Sequence, residues 1–151
     1  MAKSVKHKKV IILFKYLNKL MDSDIEKAIK ILTIADISHL LKWGRFIIPG
    51  NYIIKDNKLV KDIIQMKDYF VYDPTSEVNL DWLSKSDIEE LDSALTKDYD
   101  EIEEKALDRF KEKDEYNELD VINAFLEGKE KEGMYQYVKE HLDIQKFLDN
   151  I

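Results

Sequence analysis

The sequence predicts a mainly α fold, a compact multi-helix single domain with a small β-hairpin or extended segments in its middle. Only four glycines and two prolines occur among 151 residues, too little punctuation for a turn-rich sheet architecture. Charged residues make up 36% of the chain, with Glu, Lys and Leu plentiful, and these are good helix formers. Apolar residues then recur at steps of three and four along most of the chain, the period of one helix face. A chain of 151 residues suits one domain, residues 1–151, which at that size buries about 68 to 70% of the surface its unfolded form exposes.

Residues Lys3 to Lys9 form a basic arm, expected to fray, that runs into Val10, Leu13, Phe14, Leu17 and Leu20, an amphipathic helical set. Ser23 with Glu26 has the form of a capping box, and Ile25, Ala28, Ile29, Leu32, Ala35 and Leu40 continue as a second, mostly buried helix that Gly44 stops. From Arg45 to Asn57 the pattern reads as extended chain around the turn Pro49-Gly50-Asn51. A helix over Leu59 to Met66 follows, then a candidate hairpin in which Tyr69 to Tyr72 and Glu77 to Leu80 flank Asp73-Pro74-Thr75-Ser76. Ser84 caps a helix through Ile88, Leu91 and Leu95, and further helices are expected at Tyr99 to Arg109 and Leu119 to Leu126. Gly128 and Gly133 bracket a charged turn before a last amphipathic helix, Met134 to Leu148, so that residues 117–151 form a C-terminal helical extension.

Composition excludes several functions. There is no cysteine, which removes structural disulfides, thiolate zinc sites and thiol chemistry. Apolar runs such as Val10 to Phe14 fall far short of the about 20 residues that span a bilayer, so a cytoplasmic protein without a membrane partner is the expectation. The net charge of −7 is unevenly spread: residues 1–20 carry six lysines and no acid, while residues 81–120 carry sixteen acids against six bases. An acidic chain repels a phosphate backbone, which leaves nucleic-acid binding to the local arm of Lys3, Lys6, Lys8 and Lys9.

Catalytic and metal-binding patterns are missing. His7, His39 and His141 do not stand at the spacing of a helical metal pair. Asp36 and His39 lie three apart on one helical face, where His39 reads as a donor to Asp36 or to a nearby carbonyl that fixes the helix end. The spacing of Gly44 and Gly50 fits no phosphate loop, and the serines sit mostly at helix starts. The acids from Asp87 to Asp120 interleave with lysines as a solvated helix face, one that can also steer a basic partner. Trp43, Phe46, Tyr52, Tyr69, Phe70, Tyr72 and Trp82 read chiefly as core, with a partner-binding hot spot as the alternative. No catalytic residue, cofactor or metal site is expected.

The stretch from Ala35 to Ile53 resembles the signature of the Panacea domain, the SocA-like antitoxin family, as a divergent member. Asp36, His39, Leu40, Trp43, Gly44, Arg45 and Tyr52 stand at the motif positions. Leu83-Ser84 with Ile88, Leu91 and Leu95, and Ala106-Leu107-Asp108, resemble the helices that follow. Two features depart from the pattern: Lys55-Asp56-Asn57-Lys58 replaces a Gly-Pro pair, and Phe110 stands near the place of a late family His. The resemblance implies a bacterial or phage antitoxin-like or adaptor protein, not an enzyme, that neutralises a toxin from the adjacent gene by protein–protein binding or presents it to a protease. The family-motif residues Asp36, His39, Gly44, Arg45 and Tyr52 are then expected to organise the central helix-to-extended turn, with Arg45 meeting the helix-end carbonyls, Asp36, or a partner carboxylate. The alternative is a nucleic-acid-binding regulatory protein that uses the basic arm.

Overall fold

Val10, Leu13, Phe14 and Leu17 recur at helical steps, and the chain coils into α1 (Val5–Met21) so that all four are buried. The computed structural model describes residues 5–21, 25–61 and 83–150. Residues 5–9, expected as part of a frayed arm, already belong to α1. Once the buried stripe has nucleated a helix, each added residue gains a hydrogen bond at little cost.

The second helix, α2 (Ile25–Trp43), is the centre of the molecule. Ala28, Ile31, Leu32, Ile34, Ala35, Ile37 and Leu40 are all buried, on more than one face, which marks a helix enclosed by its neighbours. Gly44 ends it at φ +87, with its N–H donating to the Leu40 carbonyl at 2.9 Å. Any side chain there is excluded twice over, because a Cβ would meet the Tyr137 ring at 2.5 Å. Ser23, the expected cap of α2, lies outside the described residues.

Beyond Gly44 the chain is extended, as expected, and the hairpin sits one step later than the Pro49-Gly50-Asn51 turn. Strand β1 (Ile53–Lys55) pairs antiparallel with β2 (Lys58–Val60), with Ile53 opposite Val60 and Lys55 opposite Lys58. Asp56 and Asn57 make the two-residue loop with φ 53 and 60, the left-handed pair whose twist matches that of paired strands. The helix expected from Leu59 is therefore replaced at Leu59 and Val60 by strand. Alternation decides it, since Leu59 is buried while its neighbours Lys58 and Val60 are not. The remainder of that helix and the hairpin expected at residues 69–80 lie outside the described residues.

Four helices complete the described chain: α3 (Lys85–Ala94), α4 (Tyr99–Arg109), α5 (Glu118–Phe125) and α6 (Gly128–Asp149). Ser84 with Asp87 and Asn117 with Asp120 form reciprocal capping boxes, while Asp98 caps α4. The charged turn expected between Gly128 and Gly133 is instead the first turn and a half of α6. Glycine costs a helix up to about 1 kcal/mol, and the packing of Met134, Tyr135, Val138 and Leu142 against the second core outweighs it.

Two apolar clusters share α2. One joins α1 to the first half of α2, Ile47, Ile48, Leu91 and Ala94. The other joins Ile37, Leu40, Phe46, Tyr52 and Leu59 to Tyr116, Val121, Ile122 and Val138. Tyr52 and Tyr116 also exchange backbone hydrogen bonds of 2.8 and 2.7 Å, which tie the extended segment to the chain before α5. Asn57→Gly, which relieves a left-handed residue in the hairpin loop, is expected to raise the urea midpoint by the equivalent of about 0.5 kcal/mol.

Candidate functional site

Asp36 stands between Ala35 and Ile37 on α2, so its carboxylate enters the apolar interior, where it is 0% exposed. Such a charge costs several kcal/mol unless it is paired and hydrogen-bonded. Both oxygens are fully engaged. Oδ1 accepts from the backbone N–H of Ile47 at 2.8 Å and of Ile48 at 3.0 Å. Oδ2 accepts from the Tyr52 hydroxyl at 2.5 Å and from Lys61 Nζ at 2.6 Å. Lys61 also donates to the Ile48 carbonyl at 2.7 Å, and its ammonium lies 3.7 Å from the centre of the Phe46 ring. Burial pushes the Tyr52 hydroxyl well above its ordinary pKa, and Asp36 adds to the rise. Burial likewise lowers Lys61, against the opposing pull of Asp36.

One helical turn later, His39 anchors a second network, its ring also 0% exposed. A carbonyl can only accept, so Nδ1 donates to the Arg45 carbonyl at 2.8 Å, and Nε2 of the neutral ring accepts from the Ser86 hydroxyl at 2.8 Å. Burial lowers the His39 pKa, with the Arg45 carbonyl opposing, which keeps the ring neutral at pH 7. Beside it Asp87 meets Lys9 and Arg45, each at 3.1 Å, and accepts from the Ser84 N–H at 3.0 Å. Burial alone raises the Asp87 carboxyl, but the Ser84 N–H and these two cations outweigh it and hold the group below its ordinary value. Ser84 and Asp87 come to this place as the cap of α3, which packs along α2.

The structure thus brings all five motif residues to one turn and divides their polar groups between two networks. Asp36 and His39 share a helix face without meeting. Arg45 reaches Asp87, Ser84 at 3.0 Å and the Phe46 carbonyl at 3.2 Å, not Asp36 as one expectation had it. The reason is occupancy: Ile47, Ile48, Tyr52 and Lys61 already saturate the Asp36 carboxylate, and the cap of α3 presents Asp87 to Arg45 instead. Sequence reasoning missed Lys61, which is 2% exposed, because a lysine at the end of a short apolar run gives no sign of burial. It also missed the pairing of Asp87, though the Ser84 cap marked the place.

Of the expected aromatic cluster, Phe46 and Tyr52 are core and Trp43 is 44% exposed. Tyr69, Phe70, Tyr72 and Trp82 lie outside the described residues, as do the side chains of His7, Lys6 and Lys8. His141 is exposed and bonds the Tyr137 carbonyl of its own helix at 2.8 Å. Among the described residues no group of three or more potential metal ligands converges, and no described helix is long and apolar enough to cross a membrane. The chain matches no protein-family model, no curated protein and no solved structure.

Outside the two networks, the surface has two notable features. A groove of about 360 Å³ lies between the end of α2 and α6, walled by Trp43, Phe46, Tyr137, His141 and Leu142. On α4, Glu101, Glu104 and Asp108 form an exposed stripe at steps of three and four.

Lys61→Met leaves Asp36 buried without its cation and is expected to cost about 3–5 kcal/mol. The double variant Asp36→Asn with Lys61→Met recovers part of that loss in a double-mutant cycle read by urea unfolding. Stability also depends on pH in two windows. The unfolded chain protonates His39 at about 6.5 while the folded chain resists, so stability is full above that value and declines as the pH falls below it. Asp87 adds a second loss as the pH falls below its ordinary value of 3.8 toward its lower folded one. His39→Gln and Asp87→Asn are each expected to flatten one window of the urea midpoint against pH.

Proposed function

We propose that this chain is a non-catalytic, antitoxin-like or adaptor domain that neutralises a basic partner toxin by direct protein–protein contact. The acidic stripe of α4 carries the reading. The two bases of that helix's last turns are drawn toward α5: Lys105 lies over the Phe125 ring at 5.6 Å, and Arg109 pairs with Glu127 at 3.1 Å and with the Ala124 carbonyl at 3.2 Å. Glu101, Glu104 and Asp108 are left facing solvent with no ion pair to a described residue. A surface of one sign steers an oppositely charged partner and favours one orientation of approach. The resemblance of residues 35–53 to the Panacea signature supports the same class, since the motif's polar groups are spent on holding the turn.

The nucleic-acid alternative has less behind it. Lys9 is held by Asp87, and the α4 stripe repels phosphate.

Co-expression with the product of the adjacent gene tests the proposal. Rescue of growth and co-purification are expected; a harmless neighbour, or a toxic one that is neither bound nor relieved, overturns it. The triple variant Glu101→Lys, Glu104→Lys and Asp108→Lys is expected to slow association with the toxin at least about tenfold at low salt and to weaken its salt dependence, with the unfolding free energy lowered by about 1–2 kcal/mol through the lost first-turn acid and the added like-charge pairs.

A further inference from the structure

The link between α4 and α5 borders a cavity of about 440 Å³ that α5 and the first turns of α6 complete. Its aromatic lining includes Phe110 and Tyr116, whose rings stack with centroids 4.3 Å apart, and Tyr135 of α6. Four cations line it against one acid: Arg109, Lys111, Lys113 and Lys131 against Asp120. That balance reverses the charge of the surrounding chain, where residues 81–120 carry sixteen acids against six bases. Glu112 and Asp114 alternate with the two lysines of the link, and only the lysines line the cavity.

Two of the cations are already committed. Arg109 meets Glu127 and the Ala124 carbonyl. Lys113 meets Asp120 at 2.6 Å, and the other oxygen of Asp120 accepts the Asn117 N–H, so the one acid of the lining is spent within the fold. Lys111 and the half-buried Lys131 form no ion pair with a described residue. Tyr116 is 4% exposed, and its hydroxyl accepts the Lys113 N–H at 3.2 Å but donates to no described acceptor. Leaving a buried donor unanswered is costly. The cavity therefore gathers two ammonium groups and a buried hydroxyl, all of them donors and none of them answered by a described residue.

We propose that this cavity binds a small phosphate ester, with the phosphate group held by Lys111, Lys131 and the Tyr116 hydroxyl. A ligand that answers all three must be an anion with several acceptor oxygens. The planar fork of an arginine is the group that matches a carboxylate, and the Arg109 fork is taken by Glu127 and Ala124; lysines act as point charges, which suit a phosphate. A phosphate monoester brings three strong acceptor oxygens and a charge of about −1.5 to −2 at neutral pH. The cavity falls within the about 300–1,000 Å³ of small-molecule sites and is larger than a phosphate group, which leaves room for the esterified part beside the Phe110 and Tyr135 rings.

Titration calorimetry of the full chain at low salt with AMP, glycerol phosphate and citrate tests the proposal. Saturable binding of one ester per chain is expected, weakening as salt rises, with citrate at least about tenfold weaker. Tighter binding of AMP than of glycerol phosphate points to a nucleotide, and equal binding to the phosphate ester group that the two share; either supports the site. Lys111→Ala with Lys131→Ala is expected to weaken ester binding at least about tenfold, and Tyr116→Phe, which keeps the ring stacked on Phe110, roughly fivefold. Lys85→Ala with Lys139→Ala removes the same charge away from the cavity and is expected to leave binding unchanged. The proposal is overturned by the absence of saturable ester binding at millimolar concentration, by citrate binding as tightly as the esters, or by the two lysine pairs weakening binding equally. The experiment needs no toxin, so its outcome is independent of the reading that rests on α4.

Discussion

A single carboxylate inside α2 organises the fold. With the Asp36 carboxylate out of water, the fold must deliver two backbone donors, a hydroxyl and an ammonium to one point. Those donors come from Ile47, Ile48, Tyr52 and Lys61, so satisfying one side chain fixes the path of the next twenty-five residues. The chain turns back at Gly44, lays Ile47 and Ile48 along the helix, and brings the hairpin close enough for Lys61 to enter. Replacing this arrangement with apolar residues could match its stability, since buried ion pairs seldom exceed their desolvation cost. The arrangement supplies a unique route for a segment whose regular structure is only a six-residue hairpin sheet.

The His39 network repeats the device one turn further along. Asp36 holds the extended segment on one side of α2, and His39 with Asp87 holds the N-terminus of α3 on another. Lys9 extends the second network to α1. Three helices and the central turn therefore meet around His39 and Asp87, two polar groups that are almost wholly buried. Each is neutralised by a specific partner, which explains why the motif residues cluster without offering reactive chemistry to solvent.

What remains outside is of a different kind. The acidic stripe of α4 and the apolar end of α6, where Ile144, Phe147 and Leu148 are exposed, lie on different helices and contrast with each other, one long-ranged and screened by salt, the other short-ranged and dependent on shape.

Much of this was legible in the residues themselves. The helical class, α1 through its apolar stripe, α2 with its stop at Gly44, and the cap at Ser84 follow from local rules: periodicity, propensity, and the few side chains that satisfy a helix end. The motif residues were likewise identified, and their gathering at one turn was expected. Lys61, the register of the hairpin and the choice of Asp87 over Asp36 by Arg45 were not. A lysine reads as exposed in any local window, and Leu59 to Lys61 fits the start of a helix as well as a strand. Glycines 128 and 133 read as a turn until the apolar face of α6 has a core to meet. The sequence alone thus determined most of the helices, because apolar periodicity and end caps are set by residues a few positions apart. Only the tertiary structure decided the pairings, because a buried charge selects its partner by which donor the whole fold can bring within hydrogen-bond reach.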